Sequence, residues 1–227
     1  MDLAVIIDNL PFMMSGLRLT FVLSLLAIAL AFLIGCPLGL ARMAHSRFVR
    51  LPAIIYIEIM RGTPVIMVIF WVFFFLPKIT QLPLSATVSG TAALVFFYAS
   101  HIAEITRAGV QAVPKSQVEG AQAIGLNYAQ VMAYVILPQA LRNMIPALIS
   151  RFVAIVMATS LLSILGVVEL FRAAIIVNNR EIRSYEIYTF VAATYFLACY
   201  VISRFGRWCE HRLNATPVLK MDLAISR

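Results

Sequence analysis

The sequence contains an apolar run of 23 residues, Leu19 to Ala41, that holds no charged side chain. A helix of about 20 apolar residues is long enough to cross the hydrocarbon core of a bilayer. Apolar residue types make up 62% of the chain and charged types only 12%, so there are too few charges to cover the surface of a water-soluble globule. The sequence therefore predicts a membrane protein and excludes a soluble fold.

Four further apolar stretches follow the first one along the chain. Together they predict an all-α, polytopic membrane domain with about five transmembrane helices that occupies residues 1–227. Within the second stretch, Thr63-Pro64 removes a helical hydrogen bond, and we expect a local break there. The predicted spans cover residues 17–41, 52–77, 86–112, 140–168 and 186–206.

The lysines and arginines are distributed unevenly over the two ends of the predicted spans. Eleven of the 18 would lie on one side and five on the other, with Arg61 and Arg151 inside spans. Since cytoplasmic loops carry the excess of basic residues, the N-terminus is predicted to be external and the C-terminus cytoplasmic.

The remaining composition excludes several functions. The net charge of +8 is scattered between apolar runs, which suits a lipid bilayer with anionic headgroups and excludes a nucleic-acid-binding surface. The three cysteines show no metal-ligand spacing, so we expect no metal, no cofactor and no disulfide framework.

One long polar interval, residues 114–138, lies on the side predicted to be cytoplasmic. Pro114 ends the preceding helix, and Ser116–Glu119 has the form of a helix-capping box. Gly125 is expected to stop that first helix, Asn127–Gln130 repeats the capping pattern, and Pro138 marks a second interruption. The interval is therefore predicted to form a helix, a turn and a second helix at the membrane surface.

Small residues at Gly120, Ala121, Ala123 and Gly125 would leave one flank of the first of these helices nearly bare. A simple connector between two spans is the plainer interpretation. A connector does not need such a flank, however, whereas the close approach of another protein does. We therefore expect a partner protein at this face.

Glu119-Gly120-Ala121, then Gly125, then Val135-Ile136-Leu137-Pro138 after nine intervening residues, form a spaced motif. The motif resembles the cytoplasmic EAA loop of bacterial ABC importer permeases, whose pattern is Glu-Ala-Ala, three residues, Gly, nine residues, Ile-x-Leu-Pro. The sequence differs from that pattern at Gly120 and Val135, and the spacing is unchanged.

The resemblance extends to the branch of the family that takes up polar amino acids and covers about residues 20–207. The segments that carry it are Arg61–Pro64, Ala103–Gly109, Val113–Gln117 and Ile136–Arg142.

The resemblance implies a subunit of the bacterial inner (plasma) membrane that works in an assembly. It implies a second identical or related permease, ABC-type ATPase subunits, and an extracytoplasmic solute-binding protein. The sequence has no phosphate-binding Gly-x-x-x-x-Gly-Lys-Ser/Thr loop, so ATP would be bound by the separate ATPase and this chain would not be an enzyme. The residues implied to couple it to the ATPase are Glu119, Gly120, Ala121, Gly125, Leu137 and Pro138.

Ionisable residues inside membrane spans are candidates for function because burying them in lipid is costly. Glu58 and Arg61 are three residues apart, as are Glu104 and Arg107, so each pair is expected to form an ion pair along one helix. Arg151 has no acidic neighbour at helical spacing. Its partner would be a substrate carboxylate, or else Glu58 or Glu104 from another span.

The candidate substrate-pathway residues are polar groups inside the second, third and fourth spans. Met157-Ala158 precedes Thr159, at a place where the amino-acid branch tends to be polar or acidic, and this favours an acidic or neutral polar amino acid over a basic one. Tyr98 and the nearby His101 have packing and interhelical hydrogen bonding as their alternative role. The candidates are Arg61, Thr63, Tyr98, Arg151, Thr159 and Ser160.

Two other functions remain open at the level of sequence. A stand-alone secondary transporter would show two related halves, and the only repeat is the Glu-x-x-Arg pair of motifs. A small intramembrane enzyme could use Glu58, Glu104 and His101 as acid and base groups. The EAA-like loop favours the importer, because such a loop has no purpose without a cytoplasmic partner.

Overall fold

The computed structural model describes residues 4–214, and side chains up to residue 212. Lys220 and Arg227, two of the basic residues counted on the predicted cytoplasmic side, lie outside this part. Within it the chain is helical apart from short connections, as the all-α prediction requires. The helices are α1 (Ala4–Ala41), α2 (Arg47–Gly62), α3 (Val65–Thr80), α4 (Ala86–Gln111), α5 (Lys115–Ala123), α6 (Tyr128–Val131), α7 (Leu137–Ala158), α8 (Leu170–Glu181) and α9 (Ser184–Asn214).

Within residues 4–214, four helices are long and apolar enough to cross a membrane, and α2 with α3 makes a fifth span if this bent pair is counted as one. The axes of α2 and α3 differ by 114°. The bend lies at Thr63 and Pro64, whose backbones are extended, with ψ of 140° and 135°. Proline lacks an N–H and keeps the preceding residue out of the helical region. The predicted break is therefore confirmed.

The core is formed mainly where α1 packs along α4. Ala27 and Ala31 of α1 and Ala93 and Ile102 of α4 are completely buried. The two backbones approach closely at Gly39, where an added Cβ atom would lie only 2.4 Å from the carbonyl oxygen of Ala103. A glycine is required at this position because the two backbones are nearly in contact.

The second helix of the polar interval runs into the fourth span without a break. A π-helical turn, Met132–Ile136, joins α6 to α7, and a 3₁₀ segment, Thr159–Leu165, extends α7, so that a 38-residue helical stretch runs from Tyr128 to Leu165. The interruption expected at Pro138 is therefore wrong. Pro138 lies in the first turn of α7, where a missing N–H is tolerated.

Two further features differ from the predicted spans. Helix α1 begins at Ala4, well before the predicted start at residue 17. Helix α8 was not foreseen; it follows the left-handed turn at Gly166 (φ +82°) and packs between α1 and α9. It begins at the N-cap residue Glu169.

Candidate functional site

The polar interval forms the predicted helix, turn and helix. Helix α5 ends with the N–H of Leu126 bonded to the carbonyl of Ala121 at 3.2 Å and that of Gly125 bonded to Gln122 at 2.9 Å. Gly125 itself has φ +89°, a conformation that glycine adopts without strain. The expected helix stop is therefore confirmed.

One of the two predicted capping boxes forms. Asn127 accepts from the N–H of Gln130 at 3.0 Å, and the Gln130 side chain accepts from the N–H of Asn127 at 2.9 Å. The box predicted at Ser116 and Glu119 is wrong. Helix α5 already begins at Lys115 with Pro114 as its N-cap, and Pro114 makes no side-chain cap, so Ser116 lies inside the helix and cannot cap it.

The predicted coupling residues divide between an outer and an inner surface. Glu119 and Gly120 are exposed, and a Cβ atom added at Gly120 would meet nothing within 4 Å. Ala121 points inward and packs with Val131 and Ile136 in a small core. Leu137 is half-buried and Pro138 exposed. Of the predicted bare flank, Gly120, Ala123 and Gly125 are exposed, while Ala121 holds α5 against the helix that continues into α7.

Large apolar side chains are also exposed on this unit, and sequence reasoning missed them. Ile124 is 79% exposed and Tyr134 74%. Tyr128 borders a cavity of about 690 Å³ between α6 and the end of α1, together with Met43 and His45. The sequence could have indicated these residues, since large apolar side chains in a polar interval have either a core or a partner to cover them.

A cluster of five ionised side chains, the charge cluster, joins α2 and α4 to the residue that follows α1. Nε of Arg107 donates to Oε1 of Glu104 at 3.0 Å. Oε2 of Glu104 lies 3.2 Å from the guanidinium group of Arg42 and 3.6 Å from that of Arg61. Arg42 also bonds Glu58 at 2.8 Å. The cluster thus holds three guanidinium groups and two carboxylates, an excess of one positive charge.

The expected Glu104–Arg107 pair is confirmed, whereas the expected Glu58–Arg61 pair is wrong. Glu58 instead pairs with Arg42, just after α1, and Arg61 pairs with Glu104 of α4, because charged groups near lipid are best neutralised inside the bundle. From the sequence, Arg42 is simply one of the eleven basic residues on the predicted cytoplasmic side. Its partner Glu58 lies 16 residues further along the chain, so no local spacing in the sequence indicates this pair.

Arg61 and Arg151 line one cavity of about 380 Å³ between α4 and α7, the inner cavity. His101, Glu104 and Asn143 supply its other polar side chains. Among the residues that the structure describes, no carboxylate lies within 4.0 Å of Arg151. The alternative that Glu58 or Glu104 pairs with Arg151 is therefore wrong.

The hydroxyl groups of the other four pathway candidates donate hydrogen bonds to backbone carbonyls of the protein. Tyr98 is 6% exposed and donates to the carbonyl of Ala154 at 3.1 Å, which ties α4 to α7. Thr63, Thr159 and Ser160 each donate to a carbonyl of the preceding helical turn. Of the six candidates, Arg61 and Arg151 are the two that line the inner cavity.

A fully buried carboxylate, Glu169, was not singled out from the sequence. It accepts the N–H groups of Phe171 and Arg172 at 2.9 and 2.8 Å and the Tyr195 hydroxyl at 2.9 Å. Burial raises the pKa of the Glu169 carboxyl above its usual value, although these hydrogen bonds act in the opposite direction. The sequence feature that could have indicated this role is an acidic residue directly before the helical segment that begins at Leu170, since such a residue caps a helix.

Comparison with known proteins identifies the family. A family model described as "Binding-protein-dependent transport system inner membrane component" matches residues 31–215. The chain is 31% identical to the probable glutamine ABC transporter permease protein GlnP of Bacillus subtilis, with 90% of this chain and 95% of that protein covered. It is 30% identical to the glutamate/aspartate import permease protein GltK of Escherichia coli O6:H1, with 86% and 91% covered.

A third relative is longer. The inner membrane amino-acid ABC transporter permease protein YhdY of Escherichia coli K12 is 34% identical over 88% of this chain, and the match spans 56% of YhdY.

The fold has solved counterparts. A crystal structure of an amino acid ABC transporter with histidines superposes with a TM-score of 0.87 at 32% identity and covers 93% of this chain and 99% of that one. The MetNI methionine ABC transporter shares the fold at 18% identity, with a TM-score of 0.76 and 89% and 96% of the two chains covered.

These findings set aside the secondary-transporter and enzyme alternatives and make the chain a transport subunit with several membrane-embedded helices. A permease of this kind works together with ATPase subunits and a second permease. The chain belongs to the family of binding-protein-dependent transport system inner membrane components.

Proposed function

We propose that the chain forms the membrane pathway of an ATP-driven importer for polar amino acids and couples that pathway to a separate ATPase. One observation carries the proposal: the helix–turn–helix unit is built onto the same continuous helix that carries Arg151 in the inner cavity. The site of energy input and the candidate substrate site are thereby mechanically joined.

The outer surface of the unit suits docking into a groove of an ATPase. Glu119 supplies an exposed charge, Gly120 leaves room for a close backbone approach, and Ile124 offers an apolar side chain that is 79% exposed. An exposed apolar side chain beside a charge is typical of a protein contact. ATP is bound by the partner, and this chain binds no cofactor of its own.

The inner surface of the unit suits transmission of force. Ala121 of α5 packs on Val131 and Ile136, so α5 rests directly on the helix that begins at Tyr128. Arg151 lies 23 residues further along this helix, a distance of about 35 Å at 1.5 Å per residue. Movement of α5 by the ATPase is thus carried into the inner cavity by a rigid-body shift of α7.

The inner cavity suits a ligand that carries a carboxylate. Its volume of about 380 Å³ falls within the range of small-molecule sites. Arg61 and Arg151 face it from α2 and α7, and Arg151 has no protein carboxylate as a partner in the described part of the chain. A guanidinium group binds a carboxylate through two parallel hydrogen bonds, so we assign Arg151 to the substrate carboxylate.

Charge around the inner cavity supports an acidic or neutral polar amino acid as the substrate. Glu104 is the acidic residue that lines the cavity, and it already forms ion pairs with three arginines. No free carboxylate of the described residues lines this cavity to receive a cationic side chain. Relatives named for glutamine and for glutamate/aspartate agree with this assignment.

The assembly and orientation complete the proposal. A second identical or related permease closes the pathway, and an extracytoplasmic solute-binding protein delivers the amino acid. Basic residues gather at the end of the bundle that carries α5, which supports a cytoplasmic location for that end and an external one for the start of α1. These residues include Arg42, Arg47, Arg50, Lys115 and Arg142.

Co-purification tests the docking step. A tagged permease is expressed with its partner ATPase, and the ATPase recovered per permease is measured. Glu119→Lys should lower this recovery severalfold, while Glu181→Lys, an equal charge change at the exposed end of α8, should leave it unchanged. Equal recovery from both variants, with unchanged melting temperatures, would contradict the proposed role of α5.

A further inference from the structure

The end of α9 presents a face of basic and aromatic side chains that points away from the bundle. At 100° per residue, Tyr200, Arg204, Arg207, Trp208 and His211 fall on one side of the helix, and all five are exposed. On the opposite side Cys199 is buried, and a Cβ atom at Gly206 would lie 2.4 Å from Cδ1 of Ile149. We call the outward side the basic-aromatic face.

The position of this face along α9 places it at a membrane surface. Ile187 is buried near the start of the apolar part of α9, and Arg204 follows 17 residues later. This separation is about 26 Å of helix, close to the hydrocarbon thickness of about 30 Å. Arg204 and Trp208 therefore lie at the depth of the lipid headgroups.

The basic-aromatic face combines a groove with positively charged side chains. Its side chains border an open groove of about 530 Å³, where Val201 and Phe205 lie beside Arg204, Arg207, Trp208 and His211. The guanidinium group of Arg212 lies 5.3 Å from the centre of the Trp208 ring. Within the described range, no carboxylate lies within 4.0 Å of Arg204, Arg207 or Arg212.

We infer that the basic-aromatic face binds an anionic phospholipid of the bilayer. The phosphate of the lipid is held by Arg204 and Arg207, whose planar guanidinium groups match phosphate oxygens. Trp208 lies at headgroup depth, where tryptophan is favoured, and the acyl chains run along Val201 and Phe205. A cluster of arginines with no acidic partner at a membrane surface attracts anionic lipid.

The chain supplies its own probe for this lipid, because it contains only two tryptophans, Trp71 and Trp208. The full-length Trp71→Phe variant therefore reports on Trp208 alone. It is reconstituted into vesicles that contain phosphatidylcholine and phosphatidylglycerol in equal amounts, with bromine on the acyl chains of one lipid or of the other. Bromine quenches tryptophan fluorescence on contact, so the two preparations compare the two lipids at the same site.

Brominated phosphatidylglycerol should quench Trp208 with an apparent binding constant about fivefold or more above that of brominated phosphatidylcholine. In the Trp71→Phe background, the ratio of the two binding constants should fall close to one when three arginines are replaced together, by Arg204→Gln, Arg207→Gln and Arg212→Gln. The matched control is Arg18→Gln with Lys78→Gln and Arg183→Gln, which removes three exposed charges elsewhere and should preserve the preference.

Three results would overturn the inference. Equal quenching by the two lipids would show a face with no headgroup preference. Quenching by neither lipid would show that protein, such as a second permease, covers Trp208. A preference that survives the loss of all three arginines would place the lipid elsewhere.

Discussion

The Tyr195 hydroxyl of α9 donates a 2.9 Å hydrogen bond to the buried carboxylate of Glu169. The same carboxylate caps α8 through two backbone N–H groups, and Thr20 of α1 accepts from the N–H of Leu170 at 3.2 Å. Three helices are therefore held together at a single buried point by polar contacts.

Removal of the Glu169 side chain should destabilise the protein. Glu169→Ala deletes the cap of α8 and leaves the Tyr195 hydroxyl without its acceptor, and a lost cap alone costs about 0.5–2 kcal/mol. The expected result is a clearly lower melting temperature in detergent, measured by intrinsic fluorescence. Glu181→Ala, at the exposed end of the same helix, is the control and should change it little.

Glu169 should also make stability depend on pH. Because burial raises the pKa of its carboxyl, the folded state binds this proton more tightly than the unfolded chain does. Its contribution to stability is therefore full below the usual glutamate pKa of about 4.3 and is lost as the pH rises through the raised pKa. Glu169→Gln, which stays neutral, should remove this dependence.

The measurement is the melting temperature of the wild type and of Glu169→Gln across the acidic to neutral range. The stability of the variant relative to the wild type should be highest at neutral pH and should decrease as the pH falls. A difference that stays constant at every pH would show that Glu169 does not titrate in this range.

Within the charge cluster, Glu104 should contribute more than Glu58 to the stability of the folded protein. Glu104→Gln leaves three arginines without their shared carboxylate, and one hydrogen bond to a charged group contributes about 1.5–3 kcal/mol. The Glu58 side chain is 56% exposed and has one partner, so Glu58→Gln should cost at most about 1 kcal/mol. Thermal unfolding ranks the two variants, and equal losses would refute the central place of Glu104.

Arg151→Gln should weaken substrate use without unfolding the protein. Loss of one charge-assisted pair with a carboxylate corresponds to about a tenfold or greater rise in the substrate concentration needed for half-maximal stimulation of ATP hydrolysis. The control is Arg142→Gln, an exposed position on the same helix. If the half-maximal concentration is unchanged in Arg151→Gln, the inner cavity does not bind the substrate carboxylate through this residue.

Two glycines of the helix–turn–helix unit should respond differently to alanine. Gly125→Ala forces a side chain into a left-handed backbone (φ +89°) and should cost about 1 kcal/mol. Gly120→Ala meets no atom of this chain and favours the helix, so the permease should be equally or more stable. Because the EAA pattern has alanine at this position, stimulated ATP hydrolysis should be retained in Gly120→Ala, while a larger side chain, as in Gly120→Leu, should lower it by blocking a close contact with the ATPase.

Local sequence rules predicted the features that depend on neighbouring residues. The break at Thr63-Pro64, the stop at Gly125 and the cap at Asn127 each follow from one or two side chains acting on their own backbone. The same rules failed at Ser116, where the preceding Pro114 starts the helix earlier and moves the serine inside it.

Features that join distant parts of the chain were not predictable in this way. The Arg42–Glu58 pair and the Glu169–Tyr195 bond depend on how helices pack, and no spacing in the sequence encodes that packing. Helix α8 was missed because it is short and only partly apolar, so neither the length nor the hydropathy of a membrane span identifies it.

The joint between α2 and α3 has a consequence for motion. Only Thr63 and Pro64 separate the two helices, and Pro64 has no N–H that a change of angle could leave without a partner. The Thr63 hydroxyl already occupies the carbonyl of Ile59 at 2.8 Å. A change of the angle between α2 and α3 would therefore break no hydrogen bond inside either helix, and the packing of Val68 and Ile69 in the core is what holds the angle, with Arg61 beside the pivot.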